Sequence, residues 1–153
     1  MFDANHRGRA AIVATLNASY ATNLRAIESE RGITLPDIRA VYTYPTDSTP
    51  KGANIAFPCA EVLPPSGPIE ATSASSVSSE LAFWVHVNAQ TPSAEQADEQ
   101  LDGYLTALVR TLGLVEYGDM TLTVTTLDTS QPAPTDSGFV QAVAVLVTVY
   151  ASE

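Results

Sequence analysis

Few side chains in this sequence could carry covalent or proton chemistry. There are two histidines, His6 and His86, and one cysteine, Cys59. Nucleophilic catalysis needs a nucleophile beside a base. His6 stands near the N-terminus, and His86 follows the sole tryptophan, Trp84, by two residues. His86 could serve as a base, but the sequence gives it no identifiable partner, and a structural or interfacial role is the plainer reading. Paired carboxylates are the other source of proton chemistry. Glu95, Asp98, Glu99 and Asp102 form the one dense cluster. It reads as a solvated helix flank, with a subunit salt bridge or a cation site as alternatives. Cys59 reads as a small buried hydrophobe, and a single cysteine allows no internal disulfide. The spacings C-x-x-C and H-x-x-x-H are missing, as are the glycine-rich phosphate-binding patterns. No catalytic residue, cofactor or metal is therefore expected, and the chain is not expected to be an enzyme.

The elements that would position these residues follow from periodicity. Ile12, Leu16, Tyr20, Leu24 and Ile27 make one apolar stripe, which predicts a helix over Asn5–Arg31 closed by Gly32. Asp37–Tyr44 alternates as a strand, and Pro45–Gly52 is turn-rich. Ile55–Leu63 is a second strand, in which Pro58 lacks the ladder donor and so belongs at a sheet edge or bulge. Glu80–Ala89 is a third, with Leu81, Phe83, Val85 and Val87 facing a core and Ala82, Trp84, His86 and Asn88 facing away.

Ser93 and Gln96 form a capping box for a helix reaching Leu112. Ala94, Ala97, Leu101, Leu105, Leu108 and Leu112 are its buried stripe, and Gly113 stops it. Met120–Asp128 is a further strand. Phe139–Tyr150 is so continuously apolar that burial on both faces in mid-sheet is expected. The order predicts one α+β domain over residues 1–153, a mostly antiparallel or mixed sheet of about five strands with two helices on one face.

Two segments stand outside this scheme. Residues 64–79, PPSGPIEATSASSVSS, hold three prolines and six serines and little to bury. Residues 129–138 are a second proline-rich loop. Loops of the first length are uncommon in small domains and are usually functional or disordered. The expectation is an arm that becomes ordered against a neighbouring subunit.

Net charge is −10, unevenly spread. Residues 1–51 hold six of the seven basic residues against five acids, while residues 52–153 hold Arg110 against twelve acids. That balance argues against wrapping nucleic acid, which needs dense Lys and Arg. Only 16% of residues are charged, so apolar surface must be well hidden or buried against partners. The N-terminal stretch lacks the pattern of a signal peptide, and no run nears the ~18 apolar residues of a membrane span. A reducing cytoplasm is the expected place of synthesis.

From end to end the chain resembles the tail terminator proteins of long-tailed bacteriophages. The likeness lies in the succession of HRGRAAIVATLNASYATNLRAI, DIRAVYTYP, a strand pair joined by the extended arm, and FWVHVNA running into TPSAEQADEQLDGYLTALVRTL. The pair MTLTVTTLD and FVQAVAVLVTVY completes it. The resemblance implies a hexameric ring that caps the tail tube, stops its polymerisation and presents a surface for head joining. It implies tail tube and head–tail connector proteins as partners, a lumen that DNA passes without specific binding, and a place in the virion after assembly in the host cytoplasm. Related neck and head-completion proteins look similar.

No short motif fixes a functional residue. The candidates for subunit or tube contact are Arg7, Arg9, Pro64, Pro65, Ser66, Gly67, Trp84, His86, Glu95, Asp98, Glu99 and Asp102. Two other readings stand beside this one. The first is a small ligand-binding or enzymatic module with a site near Trp84 and His86; the second is a monomeric adaptor whose arm binds a partner.

Overall fold

A computed structural model of the chain describes residues 4–43, 57–63, 69–71, 77–130, 133–135 and 138–152. Two long antiparallel strands dominate it, β4 (Val77–Thr91) and β8 (Gly138–Ser152), paired from Ser78↔Ser152 to Thr91↔Phe139. Short strands fill in beside them: β1 (Ala40–Tyr42), β2 (Cys59–Val62), β3 (Ile69–Ala71), β5 (Leu114–Tyr117), β6 (Met120–Thr129) and β7 (Ala133–Thr135). The main path of the sheet is β1-β2-β4-β8-β6-β5, with β3 on β4 and β7 on β8. The β1–β2 pair is parallel and every other pair antiparallel. The α+β class and mixed sheet agree with the sequence reading; the strand count is larger than about five.

Two helices lie on one face. α1 (Ala4–Arg31) has 28 residues and is about 42 Å long. Its predicted stripe of Ile12, Leu16, Tyr20, Leu24 and Ile27 is buried throughout. Gly32, at φ +66°, supplies the left-handed cap, and its N–H donates to the Glu28 carbonyl. Gly8 lets the helix settle onto the sheet, since a Cβ there would stand 3.0 Å from the Phe83 ring. α2 (Ala94–Leu112) begins at Ser93, whose hydroxyl accepts from the Gln96 N–H. Leu101, Leu108 and Leu112 are buried and Leu105 is half-buried; the side chains of Ala94 and Ala97 are outside the described set. Both helices meet Leu81, Phe83, Val85 and Val87 of β4 and Val143, Val145, Val147 and Val149 of β8 in one core.

Several expectations need correcting. The strand at Asp37–Tyr44 shrinks to three residues, Tyr44 and Pro45–Gly52 lying outside the described residues. Pro58 is neither at the edge nor in a bulge. It stands just ahead of β2, an inner strand, and its carbonyl accepts the Arg39 N–H, so its missing donor breaks no ladder. β8 is central but not buried on both faces: Leu146 is half-exposed and Tyr150 exposed on the side away from the helices. The bulge in β6 falls between Val124 and Thr126.

The 64–79 and 129–138 segments are not loops throughout. β2 covers only Val85–Asn88 of the long β4. Its uncovered end takes Ile69–Ala71 as a strand, with Ile69↔Ser79 and Ala71↔Val77. β8 likewise accepts Ala133–Thr135 where β6 has ended. Ladder bonds use the backbone, so serine and alanine serve where there is little to bury. Residues 69–71 and 77–79 are thus ordered within one chain, and the arm no longer supports assembly as expected. Residues 64–68 and 72–76, with the candidates Pro64, Pro65, Ser66 and Gly67, lie outside the described residues.

Candidate functional site

The candidate residues on the helices do not gather into one site. Arg7 is tied to Asp119 at the β5–β6 turn, which holds the Asp119 carboxyl below its usual range through that hydrogen bond. It therefore braces the chain against itself. Arg9 is half-buried, and its Nε is shielded without a hydrogen-bond partner. Asp102 pairs with Arg31 at 2.5 Å and joins the two helices. Glu95, Asp98 and Glu99 are exposed, and no ion pair engages them among the described residues. Arg110 and Glu30 form a second bridge between the helices, bidentate at 2.8 and 2.9 Å. Among the described residues no group of three or more His, Cys, Asp or Glu could hold a metal ion.

Trp84 and His86 do share a feature. Both point away from the helices, their rings edge to face with centroids 6.3 Å apart. The small residues Ala142 and Ala144 beside them form the floor of a trough of about 310 Å³, closed on its far side by Asp128 and Ser130. His86, Ala144 and Asp128 lie in one row across three strands. Glu61 extends that row on the other side of His86 and is only 4% exposed. The Asn88 amide donates to Glu61 Oε1 and lies 3.9 Å from Cys59 Sγ. Burial pushes the Cys59 thiol up to about 11. It is therefore protonated at neutral pH and is no nucleophile. Asn88→Ala withdraws a donor from a buried carboxylate and is expected to cost about 1–3 kcal/mol of stability, read from urea unfolding midpoints. Asn88→Asp should cost more.

The edges of the sheet carry a second arrangement that the sequence reading missed. Five large apolar side chains are exposed among the described residues: Leu114 and Tyr117 on the edge strand β5, Leu127 on β6, Tyr150 on β8 and Val109 on α2. Leu114 is 76% exposed. β5 forms a hairpin with β6 through the two-residue turn Gly118–Asp119, Gly118 being at φ +63°. At the other edge, α1 does not close fully on β1. A groove of about 460 Å³ remains, lined by Val13, Leu16, Tyr20, Leu24, Ile38 and Val41, with Ala21 and Arg39 also on its wall. Arg39 is exposed and its guanidinium has no ion partner among the described residues. The Gly-Asp turn between alternating segments was the signal available for β5; the groove has none, because it depends on where α1 lies.

No known protein family's sequence profile matches this chain, and no curated protein matches it. A solved structure titled "Virion of native gene transfer agent (GTA) particle" contains a chain of similar fold. The TM-score is 0.48 at 15% sequence identity, over 95% of this chain and 94% of that one. The likeness concerns the course of the backbone alone. No helix among the described residues is long and apolar enough to cross a membrane.

Proposed function

We propose that this chain is a non-enzymatic structural subunit of a phage-type virion, and in particular a tail terminator whose copies close a ring on the end of the tail tube. One observation carries this reading: Leu114 and Tyr117 stand exposed on the edge strand β5, while an open apolar groove lies beside β1 at the other edge. Monomers seldom leave such surfaces uncovered. Two different patches on opposite ends of one subunit are what head-to-tail contacts require, and such contacts close into rings when the rotation allows. The end-to-end resemblance to tail terminators supplies the number six, the tube and connector partners and the virion location. None of the eight strands among the described residues contains Lys or Arg, which suits a surface that DNA passes without being held.

The test is electron microscopy of the purified chain alone and mixed with tail tubes. The expected result is rings that cap tubes and stop their growth. A neck or head-completion protein would instead add to filled heads, and a chain that joins neither would overturn the reading. The trough at Trp84 and His86 favours a second reading, a small-ligand module. His86→Ala should leave assembly unchanged if the first reading holds. Loss of a bound ligand or of an activity, with assembly intact, would favour the second.

A further inference from the structure

We infer that the trough between Trp84 and Asp128 is a seat for a guanidinium, the arginine side chain of another protein. The seat lies on the sheet face away from the helices and is complete in a single chain, so it does not depend on the ring reading. Pairing across the sheet creates it. His86 of β4 and Asp128 of β6 flank Ala144 of β8 on either side. They are two strand spacings apart, about 9.5 Å at the backbone. A large side chain at position 144 would fill the gap. Alanine leaves it open, and Ala142, next on the same face, lengthens it. The half-buried Trp84 ring walls one end. At about 310 Å³ the trough is at the small end of ligand pockets, which suits one side chain better than a nucleotide.

The open polar groups select a cation. One oxygen of Asp128 accepts the Thr129 N–H at 2.8 Å, and the other has no hydrogen bond or ion partner among the described residues. The His86 ring meets Trp84 but makes no hydrogen bond among the described residues. The charged side chains described on this face are Glu61, Glu116 and Asp128, all acidic. An anion would meet only like charge there. A guanidinium suits every wall at once. Its plane stacks on an indole, and its fork of N–H donors reaches a carboxylate and an imidazole nitrogen together. Lysine has no such plane or fork. An exposed ion pair and an exposed cation–π contact are each weak, so a free cation would bind only at millimolar concentration. On a docking protein the same side chain adds its contacts to others already made. The occupant is therefore an arginine borne by a protein.

Trp84 is the sole tryptophan, so its fluorescence reports the seat directly. The full chain is titrated with N-acetyl-arginine amide and with its neutral urea counterpart, N-acetyl-citrulline amide. The arginine compound should give a saturable change with a millimolar midpoint, and the citrulline compound none. Asp128→Lys, at an exposed position, should raise the midpoint about fivefold or more. Ala144→Leu fills the gap while leaving the carboxylate in place, and should abolish the response. Circular dichroism verifies both folds, and Asp128→Lys decides alone if Ala144→Leu does not fold. Equal responses to the two compounds, or a titration that Asp128→Lys leaves unchanged, would overturn the seat. A wild-type midpoint below about 0.1 mM would make a free cation the occupant and overturn the protein-borne source. The mass of the wild-type chain is measured separately. A failed titration therefore leaves the ring reading intact, and a chain that never assembles leaves the seat intact.

Discussion

Phe83→Ala is expected to lower the free energy of unfolding by about 3–5 kcal/mol, more than any other single substitution considered. The ring is fully buried and sits where α1 crosses the sheet. Val147 opposes it on β8, and Gly8 lies flat over it, close enough that a Cβ there would touch the ring. The floor is the paired core of β4 and β8, which cannot collapse inward, so the cavity persists and the cost falls toward the upper end of the range. Loss of this seat loosens α1 on the sheet, and α1 is one wall of the groove. Urea unfolding gives the stability. Assembly should fail at concentrations where the wild type is complete, while Phe83→Leu keeps most of both.

Alkaline pH should destabilise the fold well before the backbone is at risk. Three weak acids are buried. Cys59 is raised from 9.0 to about 11, mainly by burial, with the nearby Glu61 adding and the Asn88 amide opposing. Tyr20 and Tyr104 are both raised, again chiefly by burial. The Tyr20 hydroxyl donates to the Tyr104 carbonyl, and the Tyr104 hydroxyl to the Pro36 carbonyl. Between its unfolded and folded pKa each group is ionised only in the unfolded chain. The unfolded state then binds fewer protons, so stability falls as pH rises. Cys59 contributes fully below pH 9, and its share, about 2–3 kcal/mol at 1.36 kcal/mol per pH unit, is gone above about 11. The tyrosines add to the loss from about pH 10 upward. Urea midpoints across pH 8–11 should decline, and Cys59→Ala should flatten the first part of the decline. A midpoint constant to pH 11 would contradict the burial of these groups.

The parts of the fold legible in the sequence are those whose period repeats. The α1 stripe from Ile12 to Ile27, the Ser93 cap of α2, and the alternation of Leu81, Phe83, Val85 and Val87 each recur often enough to fix an element and its buried face. β3 and β7 have three residues each, too few for any period. They exist because β4 and β8 outrun their neighbours, a fact of pairing across the sheet. Glu61 looks like a surface residue in the sequence and is buried because β2 is an inner strand. The alternation of β4 puts Trp84 and His86 on the face away from the core, but Asp128 joins them only through the register of β6 on β8. The exposed edge residues are the least legible. The serine-rich segment drew attention by composition, whereas Leu114 and Tyr117 look like ordinary strand residues until their edge is seen to be open.

The central claim is that this chain closes rings, and the mass of the wild-type chain in solution tests it most directly. Native mass spectrometry over a range of concentrations should show one dominant species of six copies, each of 16.2 kDa, with few intermediates. A single species of 16.2 kDa at every concentration would contradict the account.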